Sequence, residues 1–68
     1  MKTKILTPRE KEIFDYLIKN YSTKKIAKTL GISEKTVRNH ISNAMQKLGV
    51  NGRASAVIEL IKLGEIKL

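Results

Sequence analysis

The chain is predicted to be an all-α, four-helix domain built around a helix-turn-helix. Three observations predict it. Apolar residues recur at spacings of three and four rather than two, so strand signals are absent. Gly31, Gly49 and Gly64 each follow an apolar residue at a plausible helix end, where a turn with positive φ suits glycine. Between the first two glycines lies a pattern of short helix, tight turn and second helix. In it Ala27 and Gly31 stand four apart and Val37 follows six later.

The first helix opens at Thr7-Pro8-Arg9-Glu10. Thr7 is a suitable N-cap, Pro8 suits the first turn, and Glu10 completes a capping box. Ile13, Phe14, Leu17, Ile18 and Tyr21 form its apolar stripe, and Glu10, Glu12 and Asp15 lie toward its N-terminus, where the helix dipole favours negative charge.

The second helix, Thr23 to Leu30, takes Ser22 or Thr23 as its cap. The third opens after Ser33 and runs over 34–48. Ala27 is small where the two helices must cross closely. Ile26, Leu30, Ile32, Val37 and Ile41 fill the angle between them. Lys35, Arg38, Asn39 and Ser42 are left pointing outward, as donors and acceptors suited to base edges in a major groove.

The fourth helix runs over 53–63. Ala54, Val57, Ile58 and Ile61 share one face, and Ala56, Leu60 and Leu63 continue it, an apolar arc of roughly 220° at 100° per residue. One small core needs about half of such an arc. The surplus predicts contact with the same helix of a second copy, through Ala56, Leu60, Leu63 and Ile66, with Leu68 beside them.

The 68 residues make a single domain, 1–68, whose small core makes association unsurprising. With no cysteine and one histidine, the chain has no thiolate or histidine-rich metal site and no cysteine nucleophile, so no cofactor or metal is expected. No Ser-His-Asp set or phosphate-binding glycine loop appears, and no catalytic residue is assigned. His40 faces the second helix and reads as packed and bonded to backbone. The apolar runs are too short for a membrane span, and the N-terminus lacks a signal sequence, so a cytoplasmic, non-membrane protein is expected.

The net charge is +8. Residues 19–53 hold Lys19, Lys24, Lys25, Lys28, Lys35, Arg38, Lys47 and Arg53 against Glu34 alone, or 8 − 1 = +7; the flanks hold six bases and five acids, or +1. Concentrated positive charge on the helix-turn-helix is the footprint of a polyanion-binding surface. Arg38, Asn39 and Ser42 are the candidates for base readout. Thr23, Lys24, Lys25, Lys35, Thr36, Lys47 and Arg53 are the candidates for phosphate contact, the helix starts adding backbone amides.

These residues carry a resemblance. Leu6-Thr7-Pro8-Arg9-Glu10-Lys11-Glu12-Ile13, Lys25-Ile26-Ala27 with Leu30-Gly31-Ile32-Ser33, Thr36-Val37-Arg38-Asn39-His40-Ile41, and Lys47-Leu48-Gly49-Val50 with Arg53 and Ala56-Val57 resemble the LuxR-type DNA-binding domain in order. The resemblance covers essentially the whole chain. It implies the family's four-helix fold, dimerisation through the C-terminal helix and a groove-facing role for Arg38, Asn39 and Ser42. Most members carry a receiver or sensor domain as well; with Met1 just before the first helix, this chain is expected to act without one.

Residues 32–50 are similar to those of a stand-alone member that regulates late sporulation. That similarity implies a homodimeric transcription regulator acting on bacterial mother-cell genes such as those for spore-coat proteins. Two-fold symmetry favours inverted half-sites, and RNA polymerase is a further candidate partner. A sigma-factor region-4-like module, a basic adaptor for acidic proteins and a non-specific nucleoid binder remain as alternatives.

Overall fold

Thr7 and Glu10 cap one another at the start of the first helix. The Glu10 amide donates to Thr7 Oγ1 at 3.1 Å, and the Thr7 amide donates to Glu10 Oε1 at 3.0 Å. In this computed structural model, which describes residues 5–66, the helix that follows is α1, Pro8–Ile18. It ends without a glycine. Asn20 takes φ +68°, and the amides of Asn20 and Tyr21 bond back to Leu17 and Tyr16 at 3.0 Å each. Asparagine tolerates this left-handed conformation better than other side chains do.

Helix α2, Thr23–Leu30, is capped by Ser22, whose hydroxyl accepts from the Lys25 amide at 3.1 Å. It stops at Gly31, with φ +69°. A β-carbon there would meet no atom within 4 Å, so the backbone angle rather than crowding calls for glycine. Helix α3, Glu34–Leu48, starts at Ser33, whose Oγ accepts from the Thr36 amide at 3.0 Å, and ends at Gly49. Helix α4, Arg53–Lys62, has Gly52 as a cap without a side-chain bond and Leu63 as its closing residue. Among the described residues there is no strand.

Helix α3 is the common partner, packing against α1, α2 and α4. Ile13, Phe14, Ile26, Ala27, Val37, Ile41 and Ala44 meet in the core beside it. The expected stripe of α1 is graded: Ile13 and Phe14 are buried, whereas Leu17, Ile18 and Tyr21 are half-buried at its edge. Complete burial of a side chain such as Phe14 contributes about 1.5–3 kcal/mol.

The chain ends close the core. Glu65 Oε2 accepts from the backbone amides of Ile5 at 3.0 Å and Leu6 at 3.3 Å. This holds Leu6 and Ile66 in buried positions at the margin of α4. Leu68 lies outside the described residues.

This packing corrects the expected self-association surface. Ala56 and Leu60 are fully buried and Ile66 is 3% exposed, all within the one chain. Their side chains complete the monomer's core and offer no surface to a second copy. Of that expected set only Leu63 is exposed. The largest outward apolar side chain of α4 is Ile58, 54% exposed, with Ala54 exposed and Val57 and Ile61 half-buried on the same face. Leu63 lies roughly 140° around the helix from Ile58, at the other edge.

Candidate nucleic-acid interface

Helix α3 divides its residues between two tasks. Val37, Ile41 and Ala44 are buried, which fixes the rotation of the helix. That rotation turns Lys35, Arg38, Asn39 and Ser42 outward, all exposed along one face. Gln46 continues the row and is exposed too. Its spacing of four from Ser42 marks it in the sequence as part of the same face. Glu34 lies at the edge of the row, its Oε1 3.6 Å from Arg38 Nη1.

His40 points away from this face and is half-buried. The hydrogen bond to backbone expected of its ring is absent among the described residues.

The expected phosphate-contacting groups separate into three sets. Lys24 and Lys35 are exposed at the first turns of α2 and α3, and Thr36 is half-buried with its hydroxyl 2.8 Å from Ser33 Oγ. Thr23 and Arg53 are brought together: Arg53 Nη2 donates to Thr23 Oγ1 at 3.3 Å, joining the starts of α2 and α4 across thirty residues of sequence. Lys25 lies close by, its ammonium 4.2 Å from the centre of the Tyr21 ring. That ring stacks on Tyr16 with centroids 4.9 Å apart. A cation on an aromatic face is held yet remains able to donate outward.

Lys47 has a partner within the chain. Its ammonium donates to Glu10 Oε1 at 2.7 Å, and the Glu10 side chain is almost wholly buried. Burial pushes the Glu10 carboxyl up, but the Lys47 hydrogen bond, the Thr7 amide, the Lys47 charge and the Thr7 hydroxyl outweigh it and hold it below the usual 4.5. Lys47 thus neutralises a buried carboxylate between α3 and α1.

No helix among the described residues is long and apolar enough to cross a membrane. Nor does any group of three or more metal-ligating side chains occur among them.

The GerE family profile, described as bacterial regulatory proteins of the luxR family, matches residues 4–60. The chain belongs to the luxR family. Spore germination protein GerE of Bacillus subtilis (strain 168) is 62% identical over 64 residues, which cover 94% of this chain and 86% of that protein. Transcriptional regulatory protein DegU of Brevibacillus brevis is 50% identical over 64 residues, 94% of this chain but 27% of that longer protein. The solved structure of transcription factor GerE superposes with a TM-score of 0.92 at 60% identity, covering 96% of this chain and 97% of that one. Response regulator ChrA of a heme-sensing two-component system superposes with a TM-score of 0.86 at 33% identity, covering 97% of this chain and 33% of that one.

Within the luxR family the four helices and the outward row of α3 have a plain meaning. The chain is a transcription regulator with a helix-turn-helix DNA-binding domain of the GerE type. The sigma-factor-like and adaptor readings are not favoured once this membership stands.

Proposed function

We propose that this protein regulates transcription during late sporulation by binding inverted DNA half-sites as a homodimer. The observation that carries the reading is the outward row on α3. Arg38, Asn39 and Ser42 stand exposed on a helix whose opposite face is locked into the core, in a chain 62% identical to Spore germination protein GerE. Arg38 donates to guanine O6 and N7, Asn39 pairs with adenine, and Ser42 contacts a base or a neighbouring phosphate. Lys24, Lys25, Lys35 and Thr36, with the Thr23–Arg53 pair, hold the backbone and set the register.

The dimer forms through the outer face of α4, with Ile58 at its centre and Ala54, Val57 and Ile61 around it. Two-fold symmetry then places the two α3 helices in successive major grooves, with half-site centres about 34–36 Å apart. The setting is the bacterial cytoplasm, in the mother cell, with spore-coat genes as targets and RNA polymerase as the further partner. The chemistry asked of the chain is recognition, since the family consists of regulators rather than enzymes.

Selection of bound duplexes from a random library tests the reading. The expected result is an inverted repeat with one helical turn between half-site centres. Equal affinity for selected and random duplexes at physiological salt overturns it.

A further inference from the structure

The stretch that carries eight bases, residues 19–53, contains one acid, Glu34. It occupies the first position of α3, exposed, beside the row that faces DNA, and its carboxylate is 3.6 Å from Arg38. Stability gives little reason for a carboxylate there. An exposed i,i+4 pair and a favourable position near the helix dipole are both weak and screened by salt. Against DNA the same charge is repelled by phosphate. An acid at the edge of a binding surface lowers affinity wherever the groove offers it no donor.

We infer that Glu34 is a specificity-determining residue, whose carboxylate accepts from the N4 amine of a cytosine close to the guanine read by Arg38. The inference rests on the sequence-specific reading above. A carboxylate accepting from cytosine N4 is complementary to a guanidinium donating to guanine O6 and N7. Four residues of helix rise about 6 Å, which matches one to two base-pair steps of about 3.4 Å. The pair therefore presents an acceptor and a donor fork to neighbouring base pairs. On a duplex with the cytosine the carboxylate exchanges its water for an amine. On any other it is brought beside phosphates with nothing gained, so it works chiefly by weakening binding to wrong DNA.

The test compares the full chain with Glu34→Gln and Glu34→Ala on two probes: the duplex that the wild-type protein selects from a random library, and a random duplex of equal length. Both variants change an exposed side chain, and circular dichroism checks that helix content is kept. The expected result is tighter binding to the random duplex without a matching gain on the selected one, so that their affinity ratio falls by about tenfold or more. Repeating the selection with Glu34→Gln should lose one cytosine per half-site and keep the guanine assigned to Arg38. An equal rise on both duplexes, or no change on either, overturns the inference. A wild-type protein that does not discriminate between the duplexes removes the underlying reading, and the inference falls with it. A discriminating wild type whose ratio survives in Glu34→Gln overturns the inference alone.

Discussion

Lys47 Nζ lies 2.7 Å from Glu10 Oε1, so a base near the end of α3 neutralises the carboxylate that caps α1. One carboxylate thereby serves two elements. It closes the capping box on Thr7 and fixes the far end of α3 to the rest of the domain. Lys47→Met is expected to lower stability by about 1–3 kcal/mol, because a buried acceptor loses its charged partner. The cost stays below that of a fully buried pair since Lys47 is 38% exposed. Urea denaturation measures it. The salt dependence of DNA binding should stay as in wild type, since the ammonium is committed to Glu10.

The same pair gives a pH dependence of known sign. The folded Glu10 carboxyl is held below its ordinary value of 4.5. Its contribution to stability is therefore complete above that value and is lost as pH falls through the lower, folded value. Denaturation midpoints should drop on acidification below about pH 4.5. Glu10→Gln should remove that part of the drop. A profile identical to wild type would deny the carboxylate this role.

Arg38→Ala should weaken binding to the selected duplex by about 1–3 kcal/mol and relax preference at one or two base pairs per half-site. Gel-shift titration with single-position variants of the duplex reads both effects. Equal losses on selected and random DNA would place the guanidinium on phosphate.

Lys24→Ala should weaken binding to every sequence alike. Two lost phosphate contacts per dimer make the slope of log K against log salt shallower by roughly two. An unchanged slope would move Lys24 off the backbone, as is expected for Lys47→Met.

Two variants of α4 separate the proposed assembly from folding. Ile58→Glu places a charge on a side chain 54% exposed, and helix content should be kept while the dimer dissociates. Leu60→Ala empties a fully buried position and should cost about 2–5 kcal/mol of stability. Sedimentation equilibrium and circular dichroism together read the two variants. A dimer that survives Ile58→Glu would locate the interface elsewhere.

Much of this protein is local and therefore visible in its sequence. Thr7 with Glu10, Ser33 before α3, and Gly31 and Gly49 after their helices act over three or four residues, so spacing and residue type reveal them directly. The outward row Lys35, Arg38, Asn39 and Ser42 follows from helical periodicity once Val37 and Ile41 are taken as core. Asn20 escaped because asparagine serves in many loop conformations, and its role as a helix-ending residue depends on the turn it adopts. Which side of α4 the core would consume was decided only in three dimensions. Periodicity shows that Ala56, Leu60 and Ile58 lie on the apolar arc, but the packing of α4 against α3 buries the first two and leaves the third outside. The fate of Lys47 was settled in the same way. Its charge was plain in the chain, whereas its partner lies 37 residues away. A contact across that distance depends on how helices stack, which no local spacing records.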